Sequence, residues 1–185
     1  APVVDVWVPE LALYDERAAE IARQAGEEVW WYIYVAPPHP YPNWFVEYPA
    51  LEARLLWWMT YQRGVEGFLY YYLNRWPNQR SPLNLERADN RTDWAPASFE
   101  TANGDGCLMY PGPEGPISTI RLANIRDGIE DFELLHQLTE RTGDGGAAAR
   151  VLCDRLITTL TDFTDEPKLL ANTRIQLIEQ LEETE

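Results

Sequence analysis

Apolar side chains along residues 1–76 fall into short unbroken runs separated by amphipathic stretches. Val3-Val4-Asp5-Val6-Trp7-Val8 is rich in β-branched residues and stops at Pro9. That pattern predicts a buried strand. Asp15 to Ala25 places Ala18, Ile21, Ala22 and Ala25 at helical spacing, with Gly26 as the stop. It predicts a helix. Val29 to Val35 predicts a second strand, ended by Pro37-Pro38. Ala50 to Arg63 predicts a second helix, with Leu51, Leu55, Trp58 and Met59 on one face and Gly64 closing it. Phe68 to Leu73 predicts a third strand. Strands apolar on both faces and alternating with helices make a parallel sheet under a helical cover. A doubly wound sheet and a (β/α)8 barrel both satisfy the pattern. No glycine-rich phosphate loop follows any strand, which favours the barrel.

The rhythm then breaks. Pro77 to Gly106 is long, polar and irregular, and a loop of that length after a strand is where a barrel carries function. Cys107 to Tyr110 predicts a brief strand and Pro111-Gly112-Pro113 a turn. Ser118 to Thr142 predicts an amphipathic helix with Ile125, Ile129, Phe132, Leu135 and Leu138 as its stripe, ended by Gly143. Two further helices are expected at about Gly146 to Phe163 and Pro167 to Glu183, the latter capped by Asp165. The expected organisation is a barrel section over 1–142 and an appended helical hairpin over 143–185.

Composition narrows the function classes. Net charge is −15, and Lys168 is the one lysine among 15 basic residues. Such a surface repels phosphate backbones, so nucleic acid is not an expected partner. No apolar run reaches the about 18 residues of a membrane span. Ala1-Pro2-Val3 is strand-like and no signal peptide, which reads as a start in mid-domain. Cys107 and Cys153 fit no metal spacing, and no GxSxG, HExxH or zinc cluster is present. No cofactor or metal is therefore expected. Trp30-Trp31, Trp57-Trp58 and Tyr70-Tyr71-Tyr72 crowd the first half with aromatic rings. Flat rings serve sugar-binding surfaces and large cores alike.

Four stretches carry a resemblance: Glu28-Val29-Trp30-Trp31-Tyr32 with Pro37-Pro38; Gly67 through Trp76; Asn103-Gly104-Asp105-Gly106 through Tyr110-Pro111-Gly112; and Ser118-Thr119-Ile120-Arg121-Leu122 through Asp127-Gly128-Ile129-Glu130-Asp131. In that order, over about Val3 to Leu138, they resemble the C-terminal half of the catalytic domain of glycoside hydrolase family 123. The resemblance implies a (β/α)8 barrel acting on a glycan, as a β-N-acetylgalactosaminidase or an uncharacterised relative. It also implies a secreted or periplasmic setting. In the family an acid/base Glu stands next to an Asp that assists the substrate's own acetamido group, an exception to the two-carboxylate scheme. That pair is expected on an earlier strand, upstream of the matched region. Asp15-Glu16 follows Tyr14 at a helix entrance, where acidic residues favour the helix dipole, and the catalytic roles are not carried onto it. No catalytic residue is expected within this chain.

Substrate-binding candidates are the residues at strand C-terminal ends: Trp7, Tyr34, Tyr72, Asn74 and Trp76. An amide meets sugar hydroxyls and a ring meets the apolar face, which singles out Asn74 and Trp76; barrel-core packing is the alternative use of each. His39 suits a solvated loop, and Asp105 between two glycines suits a tight turn. Arg126, Asp127, Glu130 and Asp131 suit helix-surface ion pairs. Asn90-Arg91-Thr92 is a glycosylation sequon, meaningful in a eukaryotic secretory route. A whole barrel takes about 250 residues. The expected partners are therefore a glycan and either the missing N-terminal barrel section or another copy of this chain. A non-catalytic carbohydrate-binding protein derived from such a barrel is the alternative.

Overall fold

The computed structural model of the protein describes residues 4–75, 97–99, 102–112 and 114–184. Three parallel strands, β1 (Val6–Trp7), β2 (Glu28–Ile33) and β3 (Gly67–Tyr70), lie in the order β1-β2-β3. Val6 pairs with Glu28, and Trp30 through Ile33 pair with Gly67 through Tyr70. The first strand is shorter than its apolar run and ends before Pro9, which offers no N–H to a ladder. Its carbonyl still accepts from Tyr32, and a bridge between Glu10 and Tyr32 prolongs the contact. The third strand stops at Tyr70, before the expected Leu73.

Helix α1 (Glu16–Gln24) joins β1 to β2, after a single 3-10 turn at Leu11–Leu13. Asp15 caps it, its carboxylate accepting from the Ala18 N–H at 2.7 Å. Helix α2 (Glu52–Gln62) joins β2 to β3. The two faces of the sheet differ. Val29, Trp31 and Ile33 are buried, the latter two among Leu55, Leu56, Trp58 and Met59 of α2. Phe68 and Tyr70 share that side by register and pack against Trp44. The alternate positions, Trp30, Tyr32 and Leu69, are half-exposed or exposed.

Two short antiparallel pairs follow: β4 (Ala97–Phe99) with β5 (Ala102–Asn103), and β6 (Met109–Pro111) with β7 (Pro116–Ser118). The second hairpin takes up Ser118, so α3 (Ile120–Thr142) begins later than its periodicity suggested, behind the Thr119 cap. Gly143 ends α3 at φ 62°, a left-handed conformation that glycine adopts without strain. Helix α4 (Ala147–Asp154) is about half the expected length. The expectation of helix to Phe163 is wrong. Ile157-Thr158-Thr159 is a β-branched run, stiff in a helix, and instead forms β8 (Ile157–Thr159) paired with β9 (Asp162–Phe163). Helix α5 (Pro167–Glu183) starts as expected with Pro167 in its first turn, but Glu166, not Asp165, occupies the cap.

The core runs from Leu11 through Trp31, Trp58 and Leu135 to Leu152 and Leu177, so α4 and α5 share it with the parallel-sheet unit. At Gly128 of α3 a Cβ would stand 2.3 Å from the Trp57 ring and 3.0 Å from the Arg54 carbonyl, so a glycine is what lets α2 and α3 approach. One turn further, Asp131 is fully buried. Arg54 grips it with two bonds of 2.6 and 2.9 Å, Arg174 of α5 adds one of 2.7 Å, and the Trp58 indole donates at 2.9 Å. Asp131 is thus an interior clamp joining α2, α3 and α5. The expected surface ion pairing is confined to Arg126 with Asp127 and Glu130.

Candidate functional site

In a parallel strand–helix unit the strand C-terminal ends and helix N-termini gather on one side. Here that side carries the loop 34–51 after β2, the segment 71–75 after β3, the turn 104–108 and the start of α3. The β2–α2 loop is pinned by Asn43, which is buried. Its side-chain amide donates to the carbonyls of Tyr34 and Pro37 at 3.0 and 3.1 Å, and its oxygen accepts from the Trp44 N–H. The Asn43 N–H donates to Glu52 in the first turn of α2 at 3.1 Å. Glu52 is buried, and burial pushes its carboxyl up to about 7, with the Asn43 N–H opposing the shift. His39 Nε2 stands 3.1 Å from the same carboxylate. His39 is half-exposed, and its backbone N–H donates to the Tyr48 hydroxyl at 2.8 Å.

The segment after β3 is held by the turn rather than by a strand neighbour. Leu108 N–H donates to Leu73 O at 2.8 Å and Arg75 N–H to Gly106 O at 2.7 Å, and Asn74 bridges to Cys107. Gly104 and Gly106 have φ of 78° and 68°, so both glycines are needed for the turn's shape. Between them Asp105 is fully buried. Burial raises its carboxyl to about 6 against the opposing charges of Arg75 and Arg121, and the Gly106 N–H donates to the Tyr70 hydroxyl at 2.9 Å. Arg121, buried in the first turn of α3, donates to the carbonyls of Trp44, Gly104 and Cys107 at 2.6, 2.9 and 2.5 Å. One guanidinium thereby ties the β2–α2 loop, the turn and α3 together.

Of the five binding candidates, Tyr72 and Asn74 lie side by side on the segment braced by the turn, and both are exposed. Because β3 ends at Tyr70, strand alternation does not set their directions; the turn does. Tyr34 follows the neighbouring strand, its ring 5.7 Å from that of Tyr32. Trp7 is apart from these. Its register partner is Val29, which places it on the helix side, where its indole donates to Glu27. Trp76 and the sequon at Asn90 lie outside the described residues. Sequence reasoning missed Glu52, Asn43, Tyr70 and Arg121. Their signal was faint: polar residues interleaved with prolines or placed in first helical turns, where capping explains them as well. Asp105 was read as a turn residue, which it is, but its burial follows only from what packs over the turn.

A cavity of about 520 Å³ lies elsewhere, between β1 and α1, lined by Trp7, Pro9, Leu13, Ala18, Ile21 and Ala22 among others. It is largely apolar, and the acids on its rim are occupied, Asp15 as a helix cap and Glu27 by Trp7. It lacks the convergent polar groups that orient a sugar. Among the described residues no cluster of three or more metal-ligating side chains occurs, and no helix is long and apolar enough to cross a membrane. Both cysteines are buried thiols.

Residues 2–138 match the catalytic domain of glycoside hydrolase 123. The chain belongs to glycoside hydrolase family 123. The match covers the parallel-sheet unit, the braced turn and α3 as far as Leu138. Among solved structures, the chain is similar to a family 123 glycoside hydrolase from Clostridium perfringens described for the details of glycolipid glycan hydrolysis. The superposition has a TM-score of 0.65 at 17% identity and covers 97% of this chain but 32% of that one. At that identity the likeness speaks for the fold, and the family 123 chain spans about a third of its neighbour's length. No curated protein matches the sequence.

Proposed function

We propose that this family 123 chain is the C-terminal section of a (β/α)8-barrel glycoside hydrolase, residues 1–142 forming barrel and 143–185 an appended segment packed on the same core. The observation that carries the proposal is a parallel sheet with one face sealed by helices and the other, bearing Trp30, Tyr32 and Leu69, left open. The inner face of a barrel has this character before its remaining strands close over it. The substrate is a β-linked N-acetylhexosaminide, with N-acetylgalactosaminides of glycolipid glycans as the class to examine first. The acetamido oxygen acts as nucleophile, and the assisting Asp and the acid/base Glu are supplied by an earlier strand of the completed barrel. This chain contributes the rim of the site from Tyr34, Tyr72 and Asn74. Trp7 stands apart from that rim, on the helix side of the sheet. The N-terminal barrel section is the expected partner.

Turnover of aryl β-N-acetylgalactosaminide and glucosaminide reporters tests this. The chain alone should release no aryl product, and the chain joined to the section bearing the Asp-Glu pair should release it. Turnover by the chain alone that disappears on replacing Asp15 or Glu16 would sink the proposal and make those residues catalytic.

A further inference from the structure

We infer that His39 is a further glycan contact, an imidazole that meets a sugar hydroxyl through Nδ1, and that Glu52 is the positioning residue behind it. This rests on the proposed glycan role of the rim at Tyr34, Tyr72 and Asn74, and adds to that rim a residue of the β2–α2 loop. His39 lies between Pro38 and Pro40, where a freely solvated side chain is expected. The structure instead holds it at three points. Its backbone N–H donates to the Tyr48 hydroxyl at 2.8 Å. Its ring meets the Tyr48 ring edge-on, the centroids 3.7 Å apart. Its Nε2 lies 3.1 Å from Oε1 of Glu52. The side chain is nevertheless 50% exposed, and Nδ1 has no partner among the described residues. One edge of the ring is held and the other is offered to solvent.

The group behind the ring is the second observation. Glu52 is 3% exposed, and a carboxylate withdrawn from water is costly unless it is partnered. Its partners among the described residues are the Asn43 N–H on Oε2, at 3.1 Å, and the His39 ring on Oε1. An apolar side chain of similar volume would fill the same space without that cost. The carboxylate serves the loop: it takes the Asn43 N–H and backs the imidazole. The brace also reaches the rim. The Asn43 side chain donates to the Tyr34 carbonyl at 3.0 Å, so Tyr34, Asn43, Glu52 and His39 form one continuous set of contacts on the strand C-terminal side. A hydroxyl suits Nδ1 because it both donates and accepts, and so pairs with either tautomer of the ring. An anion does not suit it, with Glu52 directly behind the ring and a net charge of −15 on the chain.

Ring-nitrogen NMR of His39 in the full chain, titrated with N-acetylgalactosamine and separately with sodium acetate, tests this. The Nδ1 signal should move with the sugar, saturate together with the Asn74 amide, and ignore acetate. His39→Phe keeps a ring against Tyr48 and removes both nitrogens. It should weaken sugar binding, read at Asn74, about fivefold, as for one lost hydrogen bond, with the melting temperature unchanged. His39→Ala serves if His39→Phe does not fold, with the same expected loss. Glu52→Gln keeps an acceptor for the Asn43 N–H. It should shift the His39 ring signals before any sugar is added and weaken binding about twofold. In the completed enzyme His39→Phe should raise KM about fivefold at unchanged kcat, a split that mere bracing of the loop does not produce. An Nδ1 signal silent to sugar, a response to acetate alone, or a wild-type KM in His39→Phe overturns the inference. A moving Asn74 amide beside a silent His39 does so while leaving the glycan role of the rim standing; silence at both overturns that role as well.

Discussion

On one side of β2, Val29, Trp31 and Ile33 are sealed under α1 and α2; on the other, Glu28, Trp30 and Tyr32 remain partly or fully open. Both sides carry large rings, so hydrophobicity alone does not separate them. What separates them is partners. The sealed side meets α2, which α3 and α5 hold in turn through Asp131. The open side meets no layer among the described residues. Burying a large side chain is worth roughly 1.5–3 kcal/mol, so an open aromatic face is a standing drive to associate. The contrast separates a face that is packed from one that is not.

The sealed side should break hardest at its clamp. Asp131→Ala leaves Arg54 and Arg174 without their shared anion in the interior. The expected cost is about 3–5 kcal/mol, the penalty of an uncompensated buried charge. Denaturant unfolding measures it, and a loss under about 1 kcal/mol would mean that water reaches the site. A smaller effect is expected at Glu52, on the loop side. Its folded pKa, about 7, lies above the ordinary carboxylate value of 4.5, so folding favours the protonated form. This contribution is fully present below about pH 4.5 and is lost as pH rises through about 7. At 1.36 kcal/mol per pH unit it amounts to about 3 kcal/mol. Stability measured against pH should fall across that window in wild type and flatten in Glu52→Gln. Smallest is Asp15→Ala, about 1 kcal/mol for a lost helix cap. It should leave turnover by the completed enzyme untouched; a large fall in turnover would make Asp15 more than a cap.

Much of the sealed half was legible because it is periodic. The runs at Val29 and Phe68 and the spacing of Leu55, Trp58 and Met59 mark strands and helix, and the structure places them so. The RDGIED stretch from Arg126 to Asp131 was legible as helix, but which acid turns inward depends on Gly128 admitting α2, a fact of packing and not of pattern. The site was less legible. Asn43 and Glu52 act through backbone groups of the loop between β2 and α2, and Arg121 reaches back to Trp44 in that same loop; no helical or strand period marks such bonds. The hairpin at Ile157 to Phe163 was read as helix because Leu152, Leu156, Leu160 and Phe163 keep helical spacing while the β-branched residues between them decide the backbone.

The central claim is that three strands with one open face need a partner. Light scattering on the purified chain, with mass spectrometry of any companion polypeptide, tests it most directly. The account predicts association, with a polypeptide supplying the earlier strands or with another copy of this chain. A compact monomer of 21.4 kDa, free of companions and melting cooperatively, would contradict it.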